Sequence, residues 1–266
     1  MMAAESEGTP CWADGTFGDL EGAKRFYGEL LGWTYDDSMP EYGNYTQACA
    51  DGRRAAALSP PMPGQEAPNA WCLYLASPDA AATAAKIREH GGEVLVEPMQ
   101  VGDFGTMVLA ADPGGAAFGV WQAGSHEGFE AQAVPGAYSW AEVYTRAPEK
   151  ADAFFSAVFG YGVKHLDDDA IDFSLYDLGA DPVLGRMKMG EEFPSGVPAH
   201  LNVYFSVADC DAAVEKAKSL GAELRFGPMT IPFGRFASLT DPQGAVFSLI
   251  DPTTTGGEMP SVTDAS

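Results

Sequence analysis

Apolar residues recur at helical spacing in four short stretches of the chain, each followed by runs that read as strands. In the first, Leu20, Ala23, Phe26 and Leu30 fall on one face of a helix that Asp19 can cap and Gly32 can stop. Strand patterns follow from Tyr42 to Ala50 and from Arg53 to Leu58. Trp71-Cys-Leu-Tyr-Leu75 opens a second unit, with an alanine-rich helix from Pro78 to His90 closed by Gly91-Gly92. Strands around Val94, Met107 to Ala111 and Ala116 to Trp121 complete it. The order is βαβββ, twice. The rest of the chain repeats it, with helices near Glu149 to Phe159 and Cys210 to Leu220 that end at Gly160 and Gly221.

The repetition is visible residue by residue. Phe26-Tyr-Gly-Glu-Leu-Leu-Gly-Trp33 is answered by Phe154-Phe-Ser-Ala-Val-Phe-Gly-Tyr161 at an offset of 128, and Cys11-Trp-Ala-Asp14 by Ser139-Trp-Ala-Glu142 at the same offset. Pro98-Met99 recurs as Pro228-Met229, and Asp112-Pro-Gly-Gly115 as Asp241-Pro-Gln-Gly244. Landmarks in register imply a duplication: an α+β chain with one domain over residues 10–122 and another over 136–251. Residues 123–135 lack periodicity and read as a linker. The polar stretches 1–9 and 252–266 are expected to fray.

Charge narrows the function. Of the 266 residues, 38 are acidic and 15 basic, a net charge of −23 that is spread over both halves. Such a surface repels phosphate backbones and anionic lipid, so neither nucleic acid nor membrane is an expected partner. No run of 18 apolar residues and no export signal is apparent, which together predict a cytoplasmic protein. The cysteines Cys11, Cys49, Cys72 and Cys210 have no metal-finger spacing and read as free thiols.

Four βαβββ units, Ala-x-x-Phe-Tyr and Phe-Gly-Trp-like signals after the first helix, and Asp-Pro-x-Gly before the last strand resemble the vicinal oxygen chelate superfamily. That group holds glyoxalases, extradiol dioxygenases and bleomycin-resistance proteins, and the chain looks most like a tandem branch with glyoxalase-like and hydroxylase-labelled members. The resemblance implies that paired units form a half-open barrel around a cavity in each half. It also implies that the two halves pack as an intramolecular pseudo-dimer. In the enzymes of the group the cavity holds a divalent metal on a His of the first strand, a His of the fifth and a Glu of the eighth. Counted from the helix landmarks, those positions are Trp12, Cys72 and Gly119 in one half and Trp140, Asn202 and Ser248 in the other. A divalent ion needs three or four N, O or S donors at about 2.0–2.3 Å, so no metal or other cofactor is expected. His90, His126, His165 and His200 read as surface or helix-end residues.

Strand alternation sets the expected contents of each cavity. Trp12 brings Asp14 with it, Cys72 brings Tyr74, and Gly119 brings Trp121. In the second half the sets are Trp140, Glu142 and Tyr144, then Asn202 and Tyr204, then Ser248 and Ile250. Each cavity is thus aromatic with one carboxylate, a setting for a small, flat organic ligand. Desolvating a carboxylate is costly, so Glu142 and Asp14 are candidates for proton transfer with raised pKa, Glu142 ahead of Asp14. Structural acceptor roles remain open for both. Arg235 is expected in a salt bridge, and Asp167-Asp168-Asp169 in a solvated loop without Ca²⁺-loop spacing. Nucleophile-elbow, phosphate-loop and dinucleotide motifs are missing or weak.

The sequence therefore describes a metal-free glyoxalase-like protein that binds, and can transform, a small aromatic or hydrophobic metabolite of secondary metabolism. As an enzyme it would be a metal-independent lyase or isomerase, or would assist an oxygenation. The alternatives are sequestration of a drug or metabolite without catalysis, and a scaffold with collapsed cavities. Ligand binding is expected in both halves, with any proton transfer at Glu142.

Overall fold

Each helix begins where a side chain accepts from an open N–H of its first turn or a proline removes one. The computed structural model describes residues 6–62, 68–168 and 171–264. In α1 (Leu20–Leu31) the Asp19 carboxylate accepts from the Gly22 N–H, and Gly32 closes the helix at φ 73°, a left-handed conformation that suits glycine. Asp79 and Asp209 cap α2 (Ala80–Glu89) and α4 (Cys210–Ser219) in the same way, whereas α3 (Pro148–Phe159) starts with proline at its first position and stops at Gly160.

In the first half these helices alternate with β1 (Pro10–Thr16), β2 (Thr34–Tyr35), β3 (Thr46–Ala50), β4 (Arg53–Ser59), β5 (Ala70–Ala76), β6 (Glu93–Val101), β7 (Gly105–Ala111) and β8 (Ala117–Ala123). The second half has β9 (Tyr138–Thr145), β10 (Gly162–Leu166), β11 (Phe173–Leu178), β12 (Asp181–Lys188), β13 (His200–Ser206), β14 (Glu223–Ile231), β15 (Gly234–Thr240), β16 (Val246–Asp251) and β17 (Val262–Asp264). The strand expected from Tyr42 starts later, at Thr46. Pro40 opens a 3-10 turn over Pro40–Tyr42, and Gly43 and Asn44 then take positive φ, which extended pairing does not allow.

Each half is one sheet, of order β2-β3-β4-β1-β5-β8-β7-β6 and β14-β15-β16-β13-β9-β12-β11-β10-β17. The two βαβββ units of a half meet through antiparallel pairing, β1 with β5 and β9 with β13. Among the described residues the outer edges do not pair, so each barrel is half open. Within the stretches expected to fray, the described residues make contacts: Glu7 pairs with Lys86 at 3.0 Å, the Gly8 N–H donates to the Ala76 carbonyl at 2.8 Å, and β17 pairs with β10. Asp169 of the acidic run lies outside the described residues. Asp167 before it donates its N–H to Ser261 at 3.0 Å and accepts from the Thr263 hydroxyl.

The convex faces of the two halves share one apolar core. Phe247 meets Phe26 and Tyr27, and its counterpart Phe118 meets Phe154 and Phe155, as a pseudo-two-fold axis requires. The symmetry reaches the hydrogen bonds. The Trp33 indole donates to the Gly136 carbonyl at 2.8 Å, and Tyr161, the counterpart of Trp33, donates to Gly8, the counterpart of Gly136. It breaks at Tyr27. Tyr27 donates to Asp241 at 2.9 Å, but its counterpart is Phe155, and Asp112 Oδ2 is buried with no hydrogen-bond partner among the described residues.

Candidate functional site

The concave face of the first half carries Trp12, Asp14, Cys72, Tyr74 and Trp121, brought together by the β1–β5 and β5–β8 pairings. Asp14 lies directly across from Cys72, and Trp12 from Tyr74. The Trp12 indole donates to the Tyr45 hydroxyl at 2.7 Å, and that hydroxyl donates to Asp14 Oδ2 at 3.2 Å. The Tyr74 phenol also favours the charged form of Asp14. Burial raises the Asp14 carboxyl to about 6, the two phenols opposing the shift.

The second concave face repeats the theme from different positions. Glu142 is 9% exposed, and its Oε2 accepts from Tyr204 at 2.8 Å and from Tyr144 at 3.0 Å. Tyr204 is the counterpart of Tyr74, but Tyr144 stands where the first half has Thr16, and Phe173 stands where it has Tyr45. Both halves therefore hold a carboxylate under two phenols with only one of the tyrosine positions shared. Burial raises the Glu142 carboxyl, against bonds from Tyr204, Tyr144 and Trp140. Beside it the Asn202 amide donates to the Ser248 hydroxyl at 2.8 Å, and Asn202 Oδ1 is buried without a partner among the described residues.

Three residues that sequence reasoning set aside or passed over join these faces. His126 is buried at 5% exposure, edge-on to Trp12 with ring centroids 4.4 Å apart, and the Trp121 indole donates to its carbonyl at 2.9 Å. Neither of its ring nitrogens has a partner among the described residues, and burial lowers its pKa to about 4. His200 stacks on Tyr144, centroids 5.1 Å apart and nearly parallel. Tyr45 forms an isolated bridge with Met39 just before β3, inside the strand pattern read from Tyr42 to Ala50 but not among the site residues expected from it. Arg235, as expected, is held in a salt bridge, by both Asp211 oxygens at 2.7 and 2.8 Å.

The two faces differ in cover. Across the first, Tyr42 meets Phe104 with centroids 5.5 Å apart, and the linker residue Phe129 packs on Trp12 at 5.5 Å. Trp12 is consequently buried while Trp140 is half-buried.

Residues 16–120 match the Glyoxalase/Bleomycin resistance protein/Dioxygenase superfamily, and residues 140–250 match the Glyoxalase-like domain. The chain belongs to this superfamily. Among its relatives is CFP32 of Mycobacterium tuberculosis, whose name assigns it provisionally to the glyoxylases. It is 39% identical over 241 residues, which are 88% of this chain and 91% of CFP32. The anthracycline biosynthesis protein DnrV of Streptomyces peucetius is 35% identical over 254 residues, 90% of this chain and 92% of its own. The Mn(II)-bound glyoxalase from Novosphingobium aromaticivorans shares the fold with a TM-score of 0.65 at 18% identity, over 96% of this chain and 87% of that one. The 2,3-dioxygenase LapB from Pseudomonas sp. KL28 does so with a TM-score of 0.66 at 14% identity, over 97% and 96%.

The superfamily's metal positions can be tested against the side chains present. Trp12 spends its only polar group, an N–H donor, on Tyr45. At Gly119 a Cβ would come within 2.2 Å of the Tyr74 ring, so the ring fills the space that a glutamate on β8 would need. Ser248 is engaged by Asn202. Among the described residues no three His, Cys, Asp or Glu side chains converge. This donor set does not fit a divalent ion.

Proposed function

We propose that this chain binds a flat, hydrophobic or aromatic metabolite without a divalent metal, and that the second concave face is its working site. The observation that carries this reading is Glu142, buried beneath Tyr144 and Tyr204 beside an unpaired Asn202 oxygen. Trp140 and His200 supply apolar ring surface around it. Ring faces hold a planar ligand by stacking and area burial, while the few polar groups orient it.

Both phenols donate to the same oxygen of Glu142, Oε2. A carboxylate with raised proton affinity, held in place by two donors, suits a general base that takes a proton from a ligand hydroxyl or activated C–H and returns it elsewhere. The reaction would then be an isomerisation or lyase step, or preparation of the ligand for oxygenation. The similarity to an anthracycline biosynthesis protein supports a ligand from secondary metabolism.

Sequestration without turnover is the second reading. It is favoured by the hydrogen bonds that already restrain Glu142, which suit recognition as well as catalysis. A panel of phenols, naphthols and quinones should contain members that raise the thermal stability of the wild-type protein, because a ligand of the folded state alone must do so. Product analysis of those members then separates the readings. Chemical change lost in Glu142→Gln supports catalysis, unchanged ligand with retained binding supports sequestration, and no stabilising member refutes both.

A further inference from the structure

Four strands of the second half bring an aromatic ladder to the surface. Phe226 on β14 is 53% exposed, a costly position for a phenyl ring on an edge strand. Its ring lies 5.9 Å from that of Phe236 on β15, tilted by 37°, and Phe236 lies 6.0 Å from Tyr204 on β13. Tyr204 reaches Glu142 on β9 at 2.8 Å. Strand register puts all of these on one face: Phe226 pairs with Ser238, Phe236 with Ile250, and Ser238 with Ser248. Met229 pairs with Phe236 and is itself 41% exposed, so the ladder has an apolar border.

The first half has no such ladder. Val96 and Met107 hold the positions of Phe226 and Phe236, and Tyr42 and Phe104 meet over that side. An exposed phenyl needed only for folding would not be tied to the half whose carboxylate is the more densely hydrogen-bonded.

We infer that Phe226 and Phe236 form a stacking platform that selects ligands of several fused rings over single rings, with a hydroxyl or other donor leading toward Glu142 and Asn202. A single ring covers one step of the ladder. A fused system covers several at once and gains ring contact at each step. Phe226, at the outer end, sets how much length is rewarded. This inference rests on the reading of the second face as the binding site.

The test is the affinity of phenol, 1-naphthol and 1-hydroxyanthraquinone, followed by quenching of tryptophan fluorescence. The wild-type protein should bind the three with affinity rising steeply with ring number. Phe226→Ala, an exposed position that leaves the core intact, should lower the ratio of anthraquinone to phenol affinity about tenfold, while Val96→Ala in the first half changes it less than about twofold. Equal ratios in wild type and Phe226→Ala overturn the platform and leave the binding site standing. Absence of binding by all three overturns both. A concentration-dependent dimer of wild type that Phe226→Ala abolishes would make the patch a self-association surface and also overturn the platform.

Discussion

Replacing Asp14 by Asn isolates one buried charge and gives a stability effect with a defined pH dependence. The Asp14 carboxyl titrates at 3.8 when unperturbed and at about 6 in the fold, so the native state binds its proton more tightly. For a group with a raised native pKa, stability is fully present below the unfolded value and falls as pH rises through the native value. Each tenfold gain in proton affinity corresponds to about 1.36 kcal/mol, so complete ionisation costs about 3 kcal/mol. Roughly half of this falls between pH 5 and pH 8, a range that avoids the acid precipitation expected of so anionic a chain. Partial solvent contact reduces the figure, leaving about 1 kcal/mol across that range. Asn keeps an acceptor for the Tyr45 and Tyr74 hydroxyls and does not titrate. Urea denaturation of both proteins at intervals of pH should show the stability difference shifting in favour of Asp14→Asn by about 1 kcal/mol from pH 5 to pH 8. Parallel pH profiles would refute the argument that Asp14 is held in the fold as an expensive charge.

The broken symmetry at the domain interface predicts that Phe155→Tyr stabilises the chain by about 1 kcal/mol, seen as a higher Tm, by giving Asp112 the donor that Tyr27 gives Asp241. A lower Tm would show that Asp112 is served in another way. The converse change, Tyr27→Phe, removes the 2.9 Å bond to Asp241 and also the acceptor of the Trp71 indole, and should cost about 2–4 kcal/mol in urea denaturation. A loss below about 1 kcal/mol would mean that water serves both groups. Prolonged dialysis against a chelator should leave Tm unchanged, with well under one transition-metal ion per chain by elemental analysis; stoichiometric metal would contradict the reading of Trp12, Gly119 and Ser248.

The fold was legible because its signals are local and repeated. Helix caps at Asp19, Asp79 and Asp209, stops at Gly32 and Gly160, and alternating strands appear twice in register, and the structure follows them closely. The carboxylates and their strand-borne neighbours were legible for the same reason, since period-two alternation fixes which side chains share a face. What escaped lies off the strands or depends on pairing between distant ones. Tyr45 stands just outside β3, paired with Met39, and reaches Asp14 only through the fold, and His126 belongs to a linker that packs against Trp12. Phe226 and Phe236 meet through a register that contains bulges, where counting along one strand fails.

Binding of 1-naphthol to chelator-treated protein tests most directly the claim that the Glu142 cluster serves as the functional centre without a metal. Tryptophan fluorescence would be titrated in wild type, Glu142→Gln and Asp14→Asn. Removing the charge from a buried carboxylate that orients a ligand hydroxyl costs about 1.5–3 kcal/mol, so Glu142→Gln should weaken binding tenfold or more, and Asp14→Asn should weaken it far less. Binding that appears only when a divalent ion is restored, or that Asp14→Asn abolishes and Glu142→Gln spares, would contradict the account.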